Sequence, residues 1–413
     1  MRETGTVRKV AILGSTGSIG TQAVEVCLNN PDLFRVTALA AGGSNLRLLA
    51  EQAVTLAPDA VAVPDPDLAG PLSDAMLAVR AERRSGAEET NQPGTNRPDR
   101  PLPTVMVGPE AVAELAALPA DVVLNAVDGS RGLAVTLSAL HAGHTVALAN
   151  KESLVAGGPL IHETLRARGG TLVPVDSEHA ALAQCMRAGH TESEVRRAIL
   201  TASGGPFRGR RRDELKDVTP EAALRHPNWS MGRVNTINSA TLVNKGLEVI
   251  EGHEMFGIDY ERFEVVVQPR SVVHAMVEFI DGSTVLQASP PDMKLPIAHA
   301  LAWPDRVPRA AVSCDWSEPV SWDFEPVDHE TFPGIRLAIE AGTTGGTAPA
   351  VYNAANEVCV QAFCDHRLPF LGIVDTVARV VADHVPGNVM TADDVAQAEH
   401  WARVRAAELI EGS

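Results

Sequence analysis

The sequence predicts an α/β protein in three parts: a doubly wound parallel sheet at the N-terminus, a central α+β domain and a C-terminal helical bundle. Three observations carry this prediction. Up to about residue 175, short apolar runs alternate with helical stretches, the pattern of successive βαβ units. From Asp176 the texture shifts to Gly, Ser and Pro with polar clusters, and then to strand-like segments. From about Asp328 the apolar periodicity of helices returns.

The elements follow in order. Strand-like VRKVAILG, FRVTALAAGG and AVAVPD are separated by the helical TQAVEVCLNN and NLRLLAEQAV; DVVLNAV, HTVALAN and TLVPVD come later, with LAVTLSALHAG among them. Residues 1–175 are assigned to this domain. Within it, Arg80 to Pro103 is rich in Pro, Gly, Asn and charge, and is expected as a solvated surface insertion without periodicity. Residues 176–302 make the central domain, where FEVVVQP, VVHAMVEFI and STVLQAS imply a more antiparallel sheet. The Pro-rich stretch 303–327 reads as a linker, and 328–413 as a small helical domain. A length of 413 at roughly 150 residues per domain gives about 2.8, in keeping with three.

Composition narrows the function. Apolar residues are 45% and charged residues 21%, a globular balance. With 35 Lys and Arg against 52 Asp and Glu, the net charge is −17, which argues against nucleic acid and anionic membranes as partners. A small anion needs only a locally basic pocket. The five cysteines are widely spaced with no CxxC pair, so neither a disulfide framework nor a zinc site is indicated. Val10 to Leu13 is too short for the apolar core of a signal peptide, and polar residues interrupt the long uncharged run Gly132 to Asn150. A soluble, cytoplasmic protein is expected.

The first strand runs into GSTGSIG and then a helix, placing Gly14, Gly17 and Gly20 where a backbone can approach a pyrophosphate at a helix N-terminus. This makes the N-terminal domain Rossmann-like. The second strand ends in Ala41-Gly42-Gly43-Ser44-Asn45 with no carboxylate for a ribose hydroxyl, and Arg47 follows, which favours NADP over NAD. Arg47 reads equally well as a solvated helix residue.

Asp176-Ser177-Glu178 follows the strand TLVPV. If the chain stays extended, both carboxylates face one side and suit Mg²⁺ or Mn²⁺; alternatively, Asp176 or Ser177 caps the next helix. ASGGPF at 202–207, the basic Arg208 to Lys216 and HPNWSMG at 226–232 read as a mobile lid over 204–232, positive enough for an anionic ligand. In NSATLVNKGLE, Ser239 stands where a helix would begin, and Asn244 and Glu248 share one face beside Lys245. Lys151, in ANKE at the end of a strand, adds an ammonium at a sheet's carboxyl edge.

Taken together and in order, GSTGSIG, ANKESLV, PVDSEH, ASGGPF, HPNWSMG and NSATLVNKGLEVIE resemble the 1-deoxy-D-xylulose 5-phosphate reductoisomerases of non-mevalonate isoprenoid synthesis, and SPPDMKLPIAHALAWP and NAANE extend the resemblance over nearly the whole chain. The resemblance implies a cytoplasmic homodimer that uses NADPH and Mn²⁺ or Mg²⁺ to turn a phosphorylated sugar, 1-deoxy-D-xylulose 5-phosphate, into 2-C-methyl-D-erythritol 4-phosphate. It implies Asp176, Glu178 and Glu248 as metal ligands, with Lys151, Glu178 and Glu248 acting in catalysis. It places Ser177 with Lys151 at the chelating oxygens. Ser203, Ser239, Asn244 and Lys245 would hold the phosphate near His226, and Trp229 and Met231 would cover the substrate. Gly14, Ser15, Thr16, Gly17, Ser18, Ile19, Gly42, Gly43, Asn45, Ala126, Asn150, Glu152 and Gly232 fall on the cofactor side. Asn238 stands where the family commonly has aspartate, Asp128, Ser130 and Arg131 make NAVDGSRGL more polar than usual, and no basic residue adjoins Asn45.

Two other classes fit parts of the pattern. A semialdehyde or homoserine type of NADP-dependent dehydrogenase shares the N-terminal loop, and the semialdehyde enzymes need a nucleophilic cysteine, for which no motif is present. A nucleotide-sensing protein without catalysis has no use for the acidic set.

Overall fold

A computed structural model describes residues 7–90, 101–225, 228, 229 and 232–412. The chain divides into two compact units, one of residues 1–150, 163–175 and 293–310, the other of 151–162, 176–292 and 311–413.

The first unit is built on seven strands: β1 (Arg8–Leu13), β2 (Phe34–Ala40), β3 (Ala60–Val63), β4 (Thr104–Val107), β5 (Val122–Asn125), β6 (Thr145–Leu148) and β7 (Thr171–Pro174). Their order is β4-β3-β2-β1-β5-β6-β7, all parallel, so the chain reverses direction across the sheet between β1 and β5. Strands such as VAIL, AVAV and VVLN are apolar at successive positions because helices cover both faces of a parallel sheet. Ile12, Leu39, Val61 and Leu124 are wholly buried in this core, together with Ile297, Ala298 and Leu301 from the helix Lys294–Ala302. Arg8 Nη1 fastens that late helix by donating to the carbonyls of Leu301 at 3.2 Å and Trp303 at 2.9 Å. This is the expected Rossmann-like sheet.

The expected insertion begins differently. A helix runs from Ala69 to Thr90, through the first part of the segment read as aperiodic. Its Ala, Glu and Arg residues are strong helix formers, and Pro93 is the first proline after Pro71. The apolar stripe of Leu72, Met76 and Val79 starts the helix on the core, and propensity carries it beyond.

The second unit has a five-stranded sheet, β8 (Val195–Ala202), β9 (Phe263–Val267), β10 (Val273–Phe279), β11 (Thr284–Ala288) and β12 (Glu325–Pro326), in the order β11-β10-β8-β9-β12. Only the β8–β9 pairing is parallel among these described strands. Helices Arg233–Ala240 and Val243–Phe256 pack with the later helices Gly334–Thr344, Ala348–Cys364, Phe370–Asp383 and Ala392–Glu411. One core joins Ile237 and Leu247 to Ile335, Tyr352, Phe363 and Ile373, so the C-terminal helices share their interior with the helices of the site.

Candidate active site

Three places in the second unit converge. The chain leaves β7, and Asp176 caps the helix Ser177–Met186, its Oδ1 accepting the Glu178 N–H at 3.1 Å. Lys151 opens the helix Lys151–Arg168, and Asn244, Lys245 and Glu248 stand on Val243–Phe256. Asp176 is therefore both a cap and a member of the acidic set. The two carboxylates meet through the first helical turn and not through an extended chain, because the helix begins at Ser177.

Lys151 Nζ lies 2.7 Å from Asp176 Oδ2, 3.1 Å from Asn244 Oδ1 and 3.3 Å from Glu248 Oε1. Lys245 Nζ lies 3.2 Å from Glu178 Oε1 and pairs with Glu248 Oε2, while Asn244 Nδ2 donates to Glu248 Oε1. Ser177 Oγ donates to Glu178. Oxygens of Asp176, Glu178 and Glu248 fall within 4.8 Å of one another, a hard donor set suited to Mg²⁺ or Mn²⁺. The fit is electrostatic as well: three carboxylates crowded in a low-dielectric site call for positive charge.

Burial alone would neutralise these groups. Against it, Lys151 holds Asp176 well below the usual carboxylate range, and the carboxylates of Asp176 and Glu248 hold Lys151 well above its ordinary value. Burial lowers Lys245, but Glu178 and Glu248 outweigh it and raise it. For Glu178 burial wins, with Glu248 and Asp176 adding repulsion, and its carboxyl is pushed up to about 7. Glu152, beside Lys151, is also pushed up to about 7 by burial.

Ser203 lies on the turn after β8, its Oγ accepting the Gly205 N–H at 3.1 Å. A Cβ at Gly205 would stand 3.0 Å from the Ser239 carbonyl, so the two serines belong to adjoining turns. Ser239 ends the helix Arg233–Ala240 instead of starting one; the turn to the next helix comes at Leu242, which is buried with φ 59°. A leucine in the left-handed region carries strain, which such corners at functional sites commonly retain.

His226 and Met231 lie outside the described residues. The remainder of the expected lid is more ordered than an irregular loop: Phe207, Leu215 and Ala223 enter the core. Its positive charge is largely spent, since Arg208 pairs with Glu325, Arg211 with Asp213 and Arg212 with Asp375. Trp229 meets the His274 ring edge-on at 6.1 Å, and Asn228 Nδ2 donates to the Pro269 carbonyl at 2.7 Å. Gly232 caps the helix Arg233–Ala240 without a side chain.

The glycine loop in the first unit is close-packed. Gly14 has φ 86°, and a Cβ there would stand 2.1 Å from the Ala126 carbonyl oxygen; one at Gly20 would stand 2.2 Å from that of Gly14. Ser15 is buried, while Thr16, Gly17, Ser18 and Ile19 form the turn into the helix Ser18–Asn29, whose cap Gly17 supplies no side chain. Gly42 has open space around it and Gly43 has φ 93°. Asn45 caps the helix Leu46–Leu56 by accepting the Leu48 N–H at 3.0 Å. Asn150 braces the loop after β5, donating to the carbonyls of Val127 at 2.7 Å and Gly129 at 2.9 Å. Arg47 pairs with Glu51 and Glu82 on the exposed side of its helix.

Sequence reasoning missed His179, Glu251 and His274. All three are buried. The available signal was Asn244, Glu248 and Glu251 at i, i+4 and i+7, a polar stripe on a largely apolar helix.

Fold and site together define a class: an α/β protein with a dinucleotide-type glycine loop in one unit and a carboxylate set for a hard divalent cation in the other. Family models for 1-deoxy-D-xylulose 5-phosphate reductoisomerase match residues 10–98 and 87–158, with its C-terminal domain at 172–256 and a DXP reductoisomerase C-terminal domain at 288–405. The chain belongs to the 1-deoxy-D-xylulose 5-phosphate reductoisomerase family. It is 57% identical over 406 residues to the enzyme of that name from Kitasatospora griseola, covering 98% of this chain and 100% of the other. Over 405 residues it is 55% identical to that from Streptomyces coelicolor, covering 97% and 92%. Among solved structures, the reductoisomerase from Zymomonas mobilis in complex with NADPH aligns with TM-score 0.87 at 40% identity, covering 99% of this chain and 100% of that one. A DOX-P reductoisomerase in complex with NADPH, fosmidomycin and magnesium aligns with TM-score 0.84 at 32% identity, covering 98% of each.

Proposed function

We infer that this chain is an NADPH- and divalent-metal-dependent enzyme that rearranges and reduces 1-deoxy-D-xylulose 5-phosphate to 2-C-methyl-D-erythritol 4-phosphate in isoprenoid precursor synthesis. The observation that carries the reading is the set of Glu248, buried, and Asp176 and Glu178, half-buried, interleaved with the ammonium groups of Lys151 and Lys245. It stands in a chain more than half identical to enzymes of that name.

Asp176, Glu178 and Glu248 would hold Mg²⁺ or Mn²⁺. When bound, the cation supplies Lewis-acid stabilisation of the ketone and hydroxyl oxygens, and NADPH supplies the hydride. The carbon chain is cut and rejoined in a retro-aldol and aldol sequence before the aldehyde is reduced. Lys151 donates to the chelating oxygens from where it now meets Asp176 and Glu248, and Ser177 joins it. Glu178 takes and returns a hydroxyl proton. Ser203, Ser239, Asn244 and Lys245 hold the phosphate with His226, which requires Lys245 to exchange a carboxylate partner for a phosphate oxygen. Trp229 and Met231 exclude water. On the cofactor side, Gly14 to Ile19 offer backbone to the pyrophosphate, and Gly42, Gly43, Asn45, Ala126, Asn150, Glu152 and Gly232 line the remainder.

The reading also takes the enzyme to be homodimeric and cytoplasmic. All five cysteines are free thiols, as a reducing compartment requires. β11 is an edge strand with Leu286 exposed, which gives a second copy a place to pair. Among the described residues no helix is long and apolar enough to cross a membrane.

A semialdehyde-type dehydrogenase needs a reactive thiolate. Burial pushes Cys27, Cys185 and Cys359 up to about 12, the opposite of activation. The decisive assay follows NADPH absorbance: oxidation is expected only with both 1-deoxy-D-xylulose 5-phosphate and Mg²⁺ or Mn²⁺ present, and unchanged turnover in EDTA would overturn the reading.

A further inference from the structure

Behind the acidic set lies a wholly buried pair that the mechanism leaves without a task. Glu251 is 0% exposed, and neither of its carboxylate oxygens has a hydrogen-bond partner among the described residues. A carboxylate in that state is strongly disfavoured unless an opposing charge faces it. The imidazole of His179, itself 0% exposed, faces it, with Nδ1 3.2 Å from Glu251 Oε2. The two groups stand within ion-pair distance without the alignment of a hydrogen bond.

The same Nδ1 lies 3.2 Å from Asp176 Oδ1, and the other ring nitrogen, Nε2, donates to the Glu248 carbonyl at 2.8 Å. One ring therefore touches the side chain of one member of the acidic set and the main chain of another. Room for it comes from Gly252, where a Cβ would meet His179 Nε2 at 3.1 Å and the Phe263 ring at 2.9 Å. The two oxygens of Asp176 are thus differentiated. Oδ1 is turned to the Glu178 N–H and His179, and Oδ2 to Lys151 Nζ.

We propose that His179 and Glu251 are positioning residues: Glu251 orients the His179 ring, and His179 retains Oδ1 so that Asp176 presents Oδ2 alone to a divalent cation. The proposal rests on the reading of Asp176, Glu178 and Glu248 as the cation's ligands. Groups that orient ligands in this way typically change metal affinity by about 10–100-fold when removed.

The test is Mn²⁺ titration of the full-length protein, with free Mn²⁺ read by electron paramagnetic resonance, alongside thermal unfolding and NADPH binding. Glu251→Gln is expected to raise the Mn²⁺ dissociation constant about 10–100-fold with little change in the unfolding temperature, because glutamine keeps the volume of the side chain and its place against the His179 ring. NADPH affinity should stay within about twofold. His179→Asn should match it, and the double variant should be no worse than either single one, since the two act as a unit. Wild-type Mn²⁺ affinity in both folded variants would overturn the proposal, as would loss of metal and NADPH binding together with a lowered unfolding temperature. Two Mn²⁺ per chain would also overturn it, making His179 and Glu251 ligands themselves. Glu248→Gln is the control: if it binds Mn²⁺ like wild type, the ligand assignment fails before the positioning role is reached.

Discussion

The glycine loop of the first unit and the charge cluster of the second are specified by opposite means. The loop works through missing atoms: Gly14 and Gly20 sit where any Cβ would strike main chain. The cluster works through groups that hydration would prefer to keep, namely two ammoniums and three carboxylates held where water is scarce. A steric clash in the loop lowers the stability of the fold directly. Electrostatics fails in graded steps, and chemistry is lost before structure.

Four outcomes would sharpen or break that contrast. The largest is expected for Glu248→Gln, which keeps volume and removes charge: turnover should fall by about 10³-fold or more, equivalent to roughly 4 kcal/mol of lost transition-state stabilisation, with the circular dichroism spectrum unchanged. Gly14→Ala comes next. A Cβ 2.1 Å from the Ala126 oxygen at φ 86° should cost about 3 kcal/mol in denaturant unfolding and weaken NADPH binding at least about tenfold. Gly17→Ala, whose nearest neighbour is 3.3 Å away at an ordinary φ, should be much milder.

Third is a pH effect. Burial pushes His274 down from 6.5 to about 4. The unfolded chain takes up this proton below about pH 6.5 while the folded chain refuses it until about 4, so stability is level above 6.5 and falls as pH drops through that window. The loss reaches about 3 kcal/mol, and His274→Gln, which keeps a donor for the Ser289 carbonyl, should flatten the slope by about one proton. The smallest effect is Arg47→Ala: with its guanidinium on Glu51 and Glu82, the preference for NADPH over NADH should change by less than about twofold. A large change would return Arg47 to the 2′-phosphate.

The parallel sheet was legible because strands covered on both faces carry unbroken apolar runs, and VAIL of β1, AVAV of β3, VVL of β5 and VAL of β6 read that way without context. The helix that continues past Arg80 to Thr90 was not, because Ala81 to Ser85 are exposed, carry no apolar stripe and are written only in propensity. In the site, Asp176 and Glu178 were found for a wrong local reason, and the bond from Lys151 to Glu248 spans 97 positions that no spacing rule covers. Glu251 was passed over because one glutamate among several on a helix looks solvated until the helix is seen buried all round. The arginines of 208–212 misled in the other direction, since the acidic partners Glu325 and Asp375 lie more than a hundred residues away.

The helix Lys294–Ala302 also sets a timetable. Its Ile297, Ala298 and Leu301 are core residues of a sheet whose last strand ends at Pro174, yet some 120 residues of the other unit are synthesised in between. At roughly 5–20 residues per second on the ribosome, β6, β7 and the helix Ser18–Asn29, against which Lys294–Ala302 packs, wait on the order of 6–24 s without it. During that interval the apolar surface that Ile297, Ala298 and Leu301 later cover is open to whatever binds apolar surface in the cell, so the demand this chain makes on chaperones is written into the order of its segments.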